Sequence, residues 1–176
     1  QKVTAYQPVK ANIKEIQLVE RATGNGSNYF ETAQDVSKVH VEWVQVPENA
    51  KRFIAEVIKH GLPIDGNELT APIGNLGIYL GIDANEDGVI QYDDEVICKS
   101  IARSSEIKDW CNLPNPEAGN YWVAFQEHRF DVNYAEGMDP ATFEHTIATA
   151  VVLDEVANNI SVSSPSTSTT EALSNI

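Results

Sequence analysis

The chain has 176 residues, enough for one domain with a single core plus flanking sequence. It carries 26 acidic against 12 basic residues, a formal charge of −14, which repels phosphate backbones and so argues against nucleic acid while suiting cation binding. No apolar run is long enough to span a membrane, and the opening at Gln1 reads as an internal fragment whose targeting signal is expected upstream.

In chain order, Ile13, Ile16, Leu18 and Val19 form an apolar cluster too short to assign to helix or strand, and residues 23–28 are a Gly- and Asn-rich turn. Val39 to Val46 alternates apolar and polar side chains, a strand signal. A turn at Pro47-Glu48-Asn49-Ala50 leads to Phe53, Ala55 and Val57 at period two, a second strand, with a short helix over 49–59 as its alternative. Gly61 to Asn75 is loop by its Gly and Pro content. Leu76 to Ile82 has the signature of a buried strand and runs directly into an acidic loop. Further strands are predicted at Glu95–Ile101, at Tyr121–Phe125 after the Asn115–Asn120 turn, and at Phe143–Leu153.

Short strands at regular intervals predict an all-β fold, an antiparallel, jelly-roll-like β-sandwich. The sandwich is expected over residues 36–154. Residues 1–35 read as an extension or the end of a preceding domain, and 155–176, rich in Ser and Thr, as a linker or the start of a following one.

The acidic loop runs from Asp83 to Glu95. Calcium takes roughly six to eight hard oxygen ligands, and oxygens at alternate positions of a tight loop converge on one ion. Asp83, Asn85 and Asp87 offer side chains at such alternate positions, Gly88 allows a sharp turn, and Val89 offers its carbonyl. Gln91 follows as a direct or water-mediated ligand, and Ile90 is the apolar residue that pins the loop to the core. Asp94 falls where a helix-loop-helix calcium hand carries a bidentate Glu, and Glu95, one place on, has the longer reach. The plainer alternative is a solvated acidic turn. Magnesium, which keeps more of its waters, fits the loop less well.

Two cysteines, Cys98 and Cys111, cannot alone complete a four-ligand zinc site, and no His stands at finger-type spacing from either. A disulfide fits better and implies an oxidising compartment. Catalytic signatures are missing: the four His are scattered, and there is no HExxH pair, GxSxG elbow or phosphate-cradling glycine loop. Trp43 and Trp122 lie in predicted strands, where core packing is the common role, and Trp110 beside Cys111 is expected to shield the disulfide. A sugar-stacking platform is the alternative use of all three.

From Leu76 to Phe125 the order of features resembles the pre-peptidase C-terminal domain family, found in secreted bacterial subtilisin-like serine peptidases. The residues that carry the resemblance are the Leu76–Asp83 strand, Asn85-Glu86-Asp87-Gly88, Cys98, Cys111–Pro116 and Ala118–Val123, with the Val46–Ala50 turn as an earlier hairpin. The resemblance implies a secreted, non-catalytic, jelly-roll-like accessory domain. Its partner would be the peptidase domain of the same polypeptide, its cofactor calcium, and its roles stability, secretion, maturation or attachment to an insoluble protein or polysaccharide. A carbohydrate- or protein-binding module of another extracellular protein is the alternative. A dockerin-like module fits less well, since such modules carry the DxNxDG motif twice and this chain has it once.

Overall fold

The computed structural model describes residues 9–19, 30, 39–65, 74–102, 108–127 and 142–154. The turn predicted at 23–28 and the Ser/Thr-rich stretch from 155 onward lie outside them. Nine strands are found among the described residues: β1 Val9–Val19, β2 His40–Val46, β3 Ala50–Lys59, β4 Pro63–Asp65, β5 Leu76–Ile82, β6 Val96–Ser100, β7 Trp110–Pro114, β8 Gly119–Glu127 and β9 Thr142–Leu153. One helical turn, α1 Tyr92–Glu95, precedes β6.

The strands form two antiparallel sheets. Sheet A has the order β1-β9-β3-β7, with β4 also paired to β9, and sheet B has the order β2-β8-β5-β6. The pairing is nested: β1 with β9, β2 with β8, β3 with β7 and β5 with β6. This is one long hairpin rolled into two layers, the jelly-roll arrangement expected from the sequence. The nesting corrects the expected boundary at residue 36. β1 lies in the stretch read as an extension, yet it pairs with β9 along its whole length, from Val9↔Val152 to Val19↔Thr142. Without it β9 would be an edge and the outermost turn of the roll would be missing.

Alternation explains the core. Ile16 and Leu18 of β1, Phe53, Ala55 and Val57 of β3, Leu76, Ile78 and Leu80 of β5, and Tyr121, Val123 and Phe125 of β8 point between the sheets with Ile147 and Val151. Each large apolar side chain buried this way contributes about 1.5–3 kcal/mol. β5 and β8 read as nearly continuous apolar runs because both of their faces are covered. On the outer face of sheet B, Tyr79, Trp122 and Ala124 form a second cluster with Phe30.

Both open edges of the sandwich are tied. On one side a disulfide joins Cys98 of β6 to Cys111 of β7, as the sequence predicted, linking the sheets covalently. Such bonds persist in oxidising compartments. On the other side Lys14 of β1 reaches Glu42 of β2 (2.7 Å), and His40 also contacts that carboxylate. Burial pushes the Glu42 carboxyl up, but hydrogen bonds and charge from Lys14 and His40 outweigh it and hold Glu42 below its ordinary value. Tyr121 donates its hydroxyl to the Glu117 carbonyl (2.9 Å), fixing the turn into β8.

Candidate metal centre

The loop at the tip of the rolled hairpin, between β5 and β6, holds the acidic residues. β5 ends at Ile82, and the Asp83 N–H still pairs with the Asn120 carbonyl (2.9 Å), so Asp83 is fixed by the sheet. Its carboxylate accepts N–H bonds from Asp87 (3.1 Å) and Gly88 (3.0 Å), which folds the chain back over it. That reversal places Glu86 at φ 57 and Gly88 at φ 71, left-handed conformations, the second filled at little cost by glycine. Ile90 and Tyr92 then pack on the Phe30–Tyr79–Trp122 cluster, with the Tyr92 ring 5.3 Å from Phe30 and 5.7 Å from Tyr79. Ile90 thus anchors the loop as predicted.

The single turn of α1 decides which carboxylate faces inward. Glu95 is 4% exposed, whereas Asp93 and Asp94 point to solvent. Glu95 Oε2 accepts the indole N–H of Trp122 (2.8 Å) and the backbone N–H of Gln91 (3.0 Å). This contact needs Gly81: a Cβ there would lie 2.2 Å from the Trp122 ring and 2.9 Å from the Glu95 carbonyl.

Ligand atoms of Asp83, Asp87 and Glu95 lie within 4.8 Å of one another, with Asp83 and Glu95 buried and Asp87 exposed. Two unit charges at that separation repel by about 3.5 kcal/mol at an effective dielectric of about 20. Backbone N–H groups offset part of this, and a divalent cation would offset far more. Asn85 Nδ2 and Gln91 Nε2 both donate to Asp87 Oδ2 (2.9 Å each), so their carboxamides border the cluster; Asn85 Oδ1 accepts the Asp87 N–H (3.2 Å), and half a turn of the Gln91 amide presents its oxygen instead. Val89 donates its N–H to Asp87 Oδ1 (2.8 Å), and its side chain is exposed. The structure therefore brings together Asp83, Asn85, Asp87, Gln91 and Glu95, with the Val89 backbone beside them. Asp94, the other sequence candidate, stands outside the cluster because α1 turns it to solvent. This donor set, all oxygen and rich in carboxylate, fits calcium.

A second polar cluster lies in the core. His145 and Glu127 are 0% and 1% exposed, yet they meet between the sheets, Nε2 to Oε2, at 2.7 Å. The Gly61 N–H donates to His145 Nδ1 (3.0 Å), which assigns the ring proton to Nε2 and makes it the donor to Glu127. Asn75 N–H donates to the other oxygen of Glu127, and Leu76 N–H to His60 Nδ1. A buried carboxylate so paired is stable. The pair ties the segments at Gly61 and Asn75 to β8 and β9, and its burial closes it to a substrate. Only the apolar environment of β8 and β9, not residue spacing, signals that these groups must meet.

The tryptophans divide differently from expectation. Trp122 is fully buried, but Trp43 is 42% and Trp110 58% exposed. Trp43 sits on edge strand β2 facing outward, and Trp110 alternates with the inward-facing Cys111, so it points away from the disulfide interior.

No family model matches the chain, and no curated protein matches it in sequence. Among solved structures it is similar to PliG of Aeromonas hydrophila, a periplasmic inhibitor of g-type lysozyme. That likeness covers 80% of this chain and 85% of the other at 11% identity, with a TM-score of 0.39. At that score it carries no argument about function. No helix among the described residues is long and apolar enough to cross a membrane.

Proposed function

We propose that this chain is a non-catalytic, calcium-stabilised accessory module of an exported protein, of the pre-peptidase C-terminal type and carried by a secreted subtilisin-like serine peptidase. The observation that carries the cation reading is the convergence of Asp83, Asp87 and Glu95, two of them buried, at the tip of the rolled hairpin. Calcium there joins the end of β5 to α1 and relieves the repulsion among the three carboxylates. The disulfide supports the extracellular setting. The burial of the His145–Glu127 pair between the sheets supports a structural role for that pair. The peptidase context rests on the sequence resemblance alone, and the parent sequence ahead of Gln1 tests it directly.

Terbium, a luminescent stand-in for calcium, tests the cation site. The Trp122 indole donates to Glu95, so an ion held by Glu95 lies beside an energy donor. Excitation of tryptophan is expected to give terbium emission that calcium competes away and that Asp83→Asn abolishes. Absence of sensitised emission would sink the cation reading.

A second reading, a carbohydrate- or protein-binding module of an extracellular protein, is favoured by the exposure of Trp43 and Trp110. The two indoles stand on different sheets, Trp43 on edge strand β2 of sheet B and Trp110 on edge strand β7 of sheet A, so each offers a separate flat apolar surface on which a ligand could stack.

A further inference from the structure

Most of the outer face of sheet B is covered. Phe30, Val39, Val41, Ile90 and Tyr92 pack over Tyr79, Trp122 and Ala124. One corner is bare. Trp43 and Gln45 of β2 are exposed, and the registers Trp43↔Trp122 and Gln45↔Asn120 place them beside β8. The bond from Asp83 N–H to the Asn120 carbonyl extends the second row to Asp83. Val44, Val46, Tyr121 and Ile82 all face the inter-sheet core, so alternation puts Trp43, Gln45, Asn120 and Asp83 on the opposite, outer side. Side chains in such a row stand about 5 Å apart, and successive ones on one strand about 7 Å. The corner is therefore a floor made of one indole and two carboxamides, bounded by the loop that rises from Asp83. No side-chain hydrogen bond occupies Gln45 or Asn120 among the described residues.

We propose that this corner binds a neutral glycan, the CH face of one sugar ring stacked on Trp43 and adjacent hydroxyls paired with Gln45 and Asn120. The assignment locates a ligand site for the binding reading above and rests on that reading, not on the cation. A pyranose offers an apolar face with a rim of hydroxyls, each both donor and acceptor. An indole supplies flat apolar area, and a carboxamide supplies one donor group and one acceptor. Anionic sugars are excluded by the net charge of −14 and by Asp83 at the wall of the corner, with no Lys or Arg in either row. A protein partner would need about 800 Å² on each side with an apolar centre, and one indole between amides does not provide it.

The test titrates the full chain with cellohexaose, chitohexaose and xylohexaose, following tryptophan fluorescence and heat, in calcium and in EDTA. One of the three is expected to bind. Trp43→Ala should weaken it at least about tenfold, about 1.4 kcal/mol, Asn120→Ala should weaken it less, and Trp110→Ala should leave it unchanged. Trp43 lies on an exposed edge, and an unaltered melting curve confirms that its variant folds. Silence toward all three sugars overturns the binding reading together with this site. Binding that survives Trp43→Ala overturns the site alone. Failure of the cation reading shows separately, as absence of sensitised terbium emission, and leaves the Trp43 dependence intact.

Discussion

Replacing Glu95 by Gln and, separately, Asp94 by Asn distinguishes two residues that counting along the loop leaves equivalent. Glu95 is buried, and its Oε2 takes two N–H bonds, from Trp122 and Gln91. Glutamine keeps the size and an oxygen acceptor, so both bonds survive, and the loss is one negative charge within 4.8 Å of two others. Without a divalent ion that loss relieves repulsion, up to the ~3.5 kcal/mol estimated for a pair at an effective dielectric of about 20 and less where Asp87 is screened by water. With calcium at about a hundredfold excess over Kd, the native chain gains about 2.7 kcal/mol. For a domain of this size that raises Tm by about 5–10 °C. If Glu95→Gln weakens calcium about a hundredfold, the gain falls to about 0.4 kcal/mol. Calorimetric melts in EDTA and in calcium should therefore show the variant at or above native Tm without the ion and well below it with the ion. Asp94→Asn, at an exposed position, should follow the native protein in both. Equal destabilisation by Glu95→Gln in the two buffers would mark Glu95 as a packing residue and refute the argument. So would a calcium response that Asp94→Asn removes and Glu95→Gln keeps.

Two further outcomes follow from the edges of the sandwich. Cys98 and Cys111 close a loop with a sequence separation of 13 between β6 and β7, and the double Cys→Ala variant should lose about 3 kcal/mol by chain entropy, read as a lower urea midpoint with a somewhat steeper slope, because the freed unfolded chain exposes more surface; a midpoint equal to that of the oxidised protein would refute it. On the opposite edge, the Glu42 carboxyl is held below its ordinary value of 4.5 in the fold. Its stabilising contribution is therefore present above the unfolded pKa and is lost as pH falls through the folded one. Urea midpoints measured well above pH 4.5 and at a pH well below it, past the lowered Glu42 value, should show that Lys14→Met costs a few tenths to about 1 kcal/mol at the higher pH and almost nothing at the lower. An equal cost at both would show that Lys14 acts through packing.

Much of this fold was legible because burial imposes period two. β2, β3, β5, β8 and β9 each alternate or run apolar, and the structure finds them where the pattern lies. β1 was obscured because only Ile16 and Leu18 of its side chains are buried, and Ile13, on the outer face, is 64% exposed and scrambles the alternation. β7 was missed for a different reason. Trp110, Cys111, Asn112, Leu113 and Pro114 carry no periodic signal, and the strand is defined by pairing with β3 and by its disulfide. The acidic loop was legible as composition. What composition could not supply was the turn of α1, which selects Glu95 over Asp94. It follows from Gly81 leaving room for the Trp122 ring, whose indole N–H then meets Glu95. His145 and Glu127 were out of reach, since nothing in their spacing shows that β8 and β9, carrying one of them each, face one another across the core.

The place of the acidic loop in the roll explains why a cation would matter there. In nested pairing each strand pair encloses the next, and β5–β6 is the innermost, with only its own loop inside. β6 is an edge strand of five residues, and its pairing with β5 shifts register between Leu80 and Gly81, so its ladder alone is a weak hold. The disulfide fastens β6 at Cys98, on the side facing sheet A. On the other face α1 is held by apolar contact of Tyr92 with Phe30 and Tyr79, and by Glu95, whose charge lies against those of Asp83 and Asp87. Charge repulsion thus falls at the point where the ladder is weakest. A divalent ion held there, as proposed, would turn that repulsion into a tie between the end of β5 and the start of β6, and through the Trp122–Glu95 bond it would steady the aromatic cluster that borders Trp43.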